Sequence, residues 1–330
     1  MLTLRRAYEA DADVVQVIWH NNPVGGQVSY YFPTAPFCKP GYRLYFIEWD
    51  GRPVGTISLC PEDLGDHRAM YVSDAVLDRS MRGRGLVPLA LCRALDETLS
   101  SGIELLTALY SQDNHDSQRV LRSRRFKILY ETPFEVFYLP ALGHAEPQET
   151  SDYPQVCELV NRFYAKHVFF HRLTPENLAR REDFAVLAER AGGRIVACVG
   201  VWRQQRIRRL MLAHPRLGIR AAMWCVSLLN RHLDVTLENG AQELVAHVLT
   251  EPAFAAGHEK AFHRLLGQIG WGRDAHCFQL AAHPLCPIAV QARRRIGFRF
   301  RSVFTVFQAA GQSASLPDAR GPAYHDSSWV

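Results

Sequence analysis

Met70-Tyr-Val-Ser-Asp-Ala-Val-Leu77 is followed at once by Asp78-Arg-Ser-Met-Arg82-Gly-Arg-Gly-Leu-Val87. The first run has the composition of a strand and the second is a Gly/Arg turn. Val87, Leu91, Leu95 and Leu99 then recur every four residues, giving a helix one apolar stripe that can lie on a sheet. A strand feeding a glycine turn at a helix N-terminus presents backbone N–H donors and the positive helix end to an anion. Arg82 and Arg84 add charge-assisted contacts, so the segment has the form of a pyrophosphate cradle. It is not a Walker loop, since no Gly-Lys-Ser/Thr follows, and it lacks the Gly-x-Gly-x-x-Gly of dinucleotide folds. An ordinary strand-to-helix turn with solvated arginines has the same residues, so the turn alone does not decide.

The flanking sequence extends the pattern. Val14, Val15, Ile18 and Trp19 fall at helical spacing, and the β-rich runs Arg43 to Trp49 and Pro53 to Leu59 flank Asp50-Gly51, a strong hairpin signal. After the helix come a strand Leu105 to Tyr110, a helix from about Ser117 to Arg124, and a strand Phe134 to Leu139. A Gly/Glu/Pro/Ser-rich linker, Gly143 to Asp152, precedes a second series: a helix Tyr153 to Tyr164, an N-cap and first-turn proline at Thr174-Pro175, and strands Arg194 to Trp202 and Arg206 to Ala213. Gly51-Arg52-Pro53-Val54 resembles Gly193-Arg194-Ile195-Val196, and Leu121 to Phe126 resembles Arg293 to Phe298. Two copies of one unit follow, the second lengthened by an insertion placed at Ala221 to Leu233. The expected organisation is 1–143, 144–308 and a mobile tail 309–330. The expected fold class is α/β, each unit a twisted, mostly antiparallel sheet with helices on both faces.

Asn114 and Ser117 follow the next strand. With them the sequence resembles the GNAT superfamily of acyl-CoA-dependent N-acyltransferases. Its Arg/Gln-x-x-Gly-x-Gly/Ala signature is matched by Arg82 and Gly85, with Val87 in the last position, and its Asn-x-x-Ala/Ser by Asn114 and Ser117. Arg125-Phe126 stands in place of Gly-Phe. More narrowly the chain is similar to bacterial tandem GNAT proteins, through Asn22-Pro23, Gly26 and Tyr71-Val72-Ser73-Asp74. The resemblance implies acyl-CoA, in the first instance acetyl-CoA, as co-substrate without a metal. It implies binding by Val76, Leu77, Arg82, Gly83, Arg84, Gly85, Leu86, Val87, Asn114 and Ser117, and direct transfer to a small-molecule or peptide amine.

Such transfer needs a base, backbone donors for the thioester carbonyl, and an acid for the thiolate. Asp74 is the base candidate, since strand alternation puts it on one face with Val72 and Val76, where a carboxylate costs desolvation. A partnering arginine or amide would explain it equally. Leu121 occupies the position where many family members have an acidic tyrosine, and Tyr110 is the replacement candidate. The second copy has no Gly/Arg turn, and its loop Thr250 to His258 has only Gly257, which marks it as degenerate. A non-enzymatic acyl-CoA-binding protein is the rival reading. Tyr30, Tyr31, Phe32 and Phe37 are acceptor-site or core candidates.

Composition bounds these readings. In 330 residues, 48% are hydrophobic and 22% charged, which excludes wholesale disorder. The net charge of +5 falls short of a dedicated nucleic-acid binder, and the arginines at helix ends complement helix dipoles. The longest apolar run, Ile195 to Trp202, is strand-sized, so no membrane span is expected. Eight cysteines without a regular framework and acidic residues near the N-terminus read as a cytoplasmic protein with reduced thiols. His276, Cys277, His283 and Cys286 match no common zinc spacing.

Overall fold

The computed structural model describes residues 1–22, 28–31, 41–99, 103, 105–141, 148–203, 209–212, 242–269, 275–295, 297–310, 316 and 322–325. The insertion expected at Ala221 to Leu233, and Pro23, Gly26, Phe32 and Phe37, lie outside them. In chain order the elements are β1 (Leu2–Arg6), α1 (Ala12–Asn21), β2 (Val28–Tyr31), β3 (Arg43–Trp49), β4 (Arg52–Leu64), β5 (His67–Leu77), α2 (Leu86–Leu99), β6 (Leu105–Ser111), α3 (His115–Leu121) and β7 (Phe126–Pro140). There follow α4 (Tyr153–Tyr164), α5 (Pro175–Ala179), β8 (Phe184–Ala191), β9 (Arg194–Trp202), β10 (Arg209–Leu212), β11 (Gln242–Leu244), β12 (Ala246–Phe254), α6 (Glu259–Gln268), β13 (Cys277–Ala282), α7 (Pro287–Arg293) and β14 (Phe298–Ala309).

The chain forms two compact units, and neither is one continuous stretch. The first holds the described residues up to Thr132, β10, and 302–310 with 316. The second holds those from Pro133 to 203, 242–301 and 322–325. Strand order in the first is β1-β3-β4-β5-β6-β14, and in the second β7-β13-β12-β9-β8. Both sheets are mixed α/β and mostly antiparallel, with one parallel pair each, β5 with β6 and β12 with β13. A parallel pair needs a crossover, and α2 and α6 supply it. The last strands are exchanged. β7 begins in the first unit and ends on β13 of the second, and β14 begins in the second and ends on β6 of the first.

Local chemistry accounts for the elements. Asp50 and Gly51 both have positive φ (50° and 75°), the backbone of a type I′ turn that suits the strand twist, and Trp49 faces Arg52 across it. Gly192 and Gly193 make the same two-residue connection between β8 and β9. The buried face of α2 is Leu86, Ala90, Leu91, Ala94 and Leu95, packed with Ile57, Leu59, Met70 and Leu106 of the sheet, while Val87 sits at the stripe's half-buried edge. Thr174 caps α5 by accepting from Asn177 N, and Pro175 follows it.

The tail expected to be mobile from Ala309 onward is corrected at both ends. Ala309 ends β14, and Pro322–His325 packs in the second unit, with Ala323 and His325 buried. A Pro/Gly/Ser-rich composition conceals a short aromatic segment with somewhere to bind. Among the described residues, no helix is long and apolar enough to cross a membrane.

Candidate active site

In the first unit β5 and β6 pair only from Ala69 with Leu105 to Tyr71 with Thr107. Beyond that rung both strands continue, and the two edges part. Asp74 and Tyr110 each lie three residues past the last paired rung, on either side of the gap.

Asp74 is where β5 departs from regularity. Thr56 of β4 faces Val76 and Ser58 faces Ser73, so Ile57 alone has both Asp74 and Ala75 opposite it, a β-bulge. Asp74 has φ 49°, in the left-handed region that a short polar side chain tolerates better than a branched one. The bulge corrects the alternation expected from sequence. Val72 packs on the α2 side of the sheet, whereas the Asp74 carboxylate lies with Ser58 and Ser73 on the opposite side. Its Oδ2 lies within hydrogen-bond distance of Ser58 Oγ (2.8 Å), Ser73 Oγ (2.9 Å) and Tyr42 Oη (3.1 Å), and the two serine hydroxyls, 2.7 Å apart, share their protons between themselves and the carboxylate. Burial first, then the neighbouring carboxylate, holds the Tyr42 phenol well above its ordinary value, so it remains a donor. Among the described residues Asp74 forms no ion pair; hydroxyls, not an arginine, hold it.

A second chain of bonds fixes the bulge from behind. Trp19 Nε1 donates to Thr56 Oγ1 (2.8 Å), and Thr56 Oγ1 donates to the Asp74 carbonyl (2.9 Å), with Thr56 fully buried. Thr56→Val keeps the volume and removes both bonds. A loss of about 1–3 kcal/mol in denaturant unfolding is expected, the net worth of two hydrogen bonds.

Tyr110 is placed differently. Its ring belongs to the α2 side with Leu106 and Ala108; its hydroxyl donates to Glu131 Oε2 (3.3 Å) and accepts from Thr305 Oγ1 (3.3 Å). Burial chiefly, with Glu131's charge, pushes its phenol upward. The structure therefore sets Asp74 and Tyr110 on opposite faces of the sheet, at the two edges of the same gap.

The turn after β5 is a single 3₁₀ turn, Arg79–Met81, and then an exposed loop to α2. Gly83 (φ 77°) and Gly85 (φ 69°) face open space, so glycine is required for backbone conformation and not for room. At the start of α2, Leu89 N already donates to the Gly85 carbonyl and Pro88 has no N–H, which leaves the amides of Gly85, Leu86 and Val87 as the free helix-end donors. The two arginines divide. Arg82 Nε donates to the Leu77 carbonyl (3.0 Å) and its Nη2 to Asn22 Oδ1 (3.4 Å), while Asn22 donates to Asp78 Oδ1 (3.0 Å). Both side chains are exposed, and it is Arg82 that braces the turn. Asn114 caps α3, its Oδ1 accepting from Ser117 N (3.0 Å), and Leu121 is buried in the core.

Residues 12–126 match the Acetyltransferase (GNAT) family. This stretch, about a third of the chain, is similar to a GNAT acetyltransferase domain. The match stops at Phe126, whereas the sheet of the unit that contains it is completed by β14, which begins only at Phe298. No curated protein matches the chain in sequence. Two solved structures of Saccharomyces cerevisiae N-myristoyltransferase with bound myristoyl-CoA share its fold. One has TM-score 0.61 at 10% identity, over 97% of this chain and 82% of that one; the other has TM-score 0.60 at 10% identity, over 95% and 83%.

Outside the matched stretch, the second unit repeats the geometry with different residues. In β12, Thr250 faces Gly200 and Ala253 faces Cys198, so Val199 faces both Glu251 and Pro252, and Glu251 has φ 45°. Glu251 is buried and paired with Arg181 (2.7 Å). Pro252 stands where Ala75 stands in β5 and has no N–H. The following loop is short, and Gly257 N donates to Glu259 Oε1 (3.4 Å), which places a carboxylate at the start of α6. Among the described residues, no group of three or more His, Cys, Asp or Glu is arranged to hold a metal.

Sequence reading singled out Asp74, Tyr110, Arg82 and the glycines. It missed Tyr42, Ser58 and Thr56, and it named Ser73 only as a motif residue. The available signal was Thr56 and Ser58 at alternate positions of an otherwise apolar strand, where a buried hydroxyl requires a partner.

Proposed function

We propose that the chain is an acyl-CoA-dependent N-acyltransferase, acetyl-CoA being the first donor to test, with the reaction in the first unit of a tandem GNAT arrangement. The sequence boundary near 143 separates the two repeats, and the exchanged strands account for the different boundaries of the compact units. The observation that carries the reading is the gap between β5 and β6 with a bulge at its edge. There a thioester can lie between strands with its carbonyl toward the Ala75 amide, which the bulge leaves out of the ladder.

Donor and acceptor then approach from opposite faces. The pyrophosphate lies against the amides of Gly85, Leu86 and Val87, with Arg84, and Val76, Leu77, Gly83, Asn114 and Ser117 border the donor's path. Asp74 takes a proton from the acceptor ammonium, directly or through water, and the freed amine attacks the thioester carbon. Backbone N–H groups stabilise the oxyanion as the C–N bond forms. The C–S bond then breaks, the thiolate takes a proton from Tyr110 on its own side of the sheet, and the second proton of the attacking nitrogen leaves through solvent, from which Tyr110 is reprotonated. The acceptor is a small-molecule or peptide amine, and the protein is placed in the cytoplasm.

Thermal-shift titration with acyl-CoAs of graded chain length, followed by mass spectrometry of an amine library, tests the reading. Binding without any acylated product would favour the non-enzymatic alternative, which the buried Leu121 in the tyrosine position supports. Two further outcomes are expected. Calorimetry should give one CoA per chain, because Pro252 and Glu259 remove the donors and reverse the charge at the second unit's counterpart site. Arg84→Ala should weaken CoA binding by about 5- to 10-fold with the melting temperature unchanged, whereas Arg82→Ala should lower that temperature as well.

A further inference from the structure

We infer that the second unit holds a binding cleft for an extended peptide, and that the chain's own segment Pro322–His325 is its resident ligand. Like β5 and β6, the parallel strands β12 and β13 pair over a few residues, from Ala246 with Cys277 to Leu249 with Leu280, and continue past the last rung. The segment spans what lies beyond.

On the β12 side, Tyr164 Oη donates to the carbonyl of Pro252 at the bulge (2.7 Å), and the Tyr324 ring meets Tyr164 and Phe170 edge-on at 4.8 and 5.1 Å. On the β13 side, His283 is the first residue after the strand. Both His283 and His325 stand edge-on to Phe134, at 5.9 and 6.1 Å. Between these aromatic sites the main chain is read directly. Val168 N donates to the Pro322 carbonyl (3.0 Å) and Tyr324 N to the Val168 carbonyl (2.8 Å), a parallel bridge around Ala323. Two main-chain bonds with alternate side chains in pockets is how proteins hold extended peptides.

The ligand chemistry follows from the contacts. The cleft takes a segment in extended conformation with a small residue buried at its centre, an aromatic side chain next, and a flat polar ring after that. Tyr324 supplies the large apolar area and the edge-to-face contacts, so it is the anchor. This site does not depend on acyl transfer by the first unit.

The test uses the full chain with a protease recognition sequence placed within 317–321 and cut after folding. The expected result is that the fragment co-elutes with the protein in gel filtration. It should exchange with a fluorescent synthetic peptide of residues 317–330, and the Tyr324→Ala peptide should bind at least tenfold more weakly. In a second measurement, the uncut Tyr324→Ala chain should keep its cooperative unfolding and bind the wild-type peptide in trans. The inference is overturned if the cut chain loses its cooperative transition, which would make the segment part of the core. It is equally overturned if neither the cut chain nor the uncut variant binds the peptide at concentrations of about 1 mM.

Discussion

Asp74→Asn is expected to lower kcat by about 10²-fold or more and to leave CoA affinity within about twofold. The substitution isolates basicity because little else changes. Asn is among the residues that tolerate φ near 49°, so the bulge survives, and its side-chain oxygen can still accept from Ser58, Ser73 and Tyr42. What disappears is the ability to take a proton. The defect should therefore shrink as pH rises and free amine becomes abundant, which a kcat–pH profile of both proteins would show. A structural role predicts the opposite pattern: a lower melting temperature with turnover per folded molecule unchanged. Tyr42→Phe sharpens the distinction. It removes one donor from Oδ2 without touching the carboxylate, so it should reduce kcat far less than Asp74→Asn.

The placement of Asp74 and Tyr110 on opposite faces bears on the same experiment. If one group served as both base and acid, its loss would distort both limbs of the profile. With base and acid separated by the sheet, Asp74→Asn should change the limb that reports acceptor deprotonation and spare the one that reports thiolate protonation.

How much of this was legible in the sequence depends on how local each feature is. Asp50-Gly51 specified its hairpin because two adjacent positive-φ positions are a property of the dipeptide itself. The stripe of α2 was legible for the same reason: periodicity fixes which side of a helix is buried. The bulge at Asp74 was not. Strand alternation assumes one residue per rung, and a single extra residue moves the carboxylate to the other face, which no window of sequence around Asp74 announces. Tyr42 was invisible because it meets Asp74 only through the folding of β3 against β4 and β5. The exchange of last strands was also hidden. The sequence of Phe126 to Pro140 says strand, and its partner is chosen by which sheet edge lacks one. Arg82 and Arg84 look alike in the Gly/Arg turn, and only Asn22 and the Leu77 carbonyl, brought close by α1 and β5, show which of the two braces it.

The second unit should be markedly acid-labile. Burial, together with the charge of His283, pushes His167 down to about 4, and burial alone pushes His276 down to about 4. Burial lowers His283 in the same direction. Each imidazole is thus kept neutral in the folded unit and becomes an ordinary histidine, titrating near ~6.5, when the unit unfolds. Above that pH both states carry the same protons and stability does not change. As pH falls from about 6.5 toward 4 the unfolded state binds protons that the folded state refuses, and stability is lost progressively. At pH 5 the loss is about 2 kcal/mol for each of His167 and His276, a large share of a domain's 5–15 kcal/mol. That corresponds to a fall of roughly 10 °C in melting temperature between pH 7.5 and 5. Variants separate this cause from general acid denaturation. His167 stacks on Phe163 and neither ring nitrogen has a partner among the described residues, so His167→Phe keeps the packing and removes the titration. His276 Nδ1 accepts from Val245 N (2.9 Å), a bond that the side-chain oxygen of His276→Gln can take over. The double variant should flatten the melting-temperature profile between pH 7.5 and 5 by more than half. An unchanged slope in calorimetry would assign the acid sensitivity to carboxylate pairs such as Glu251 with Arg181 instead.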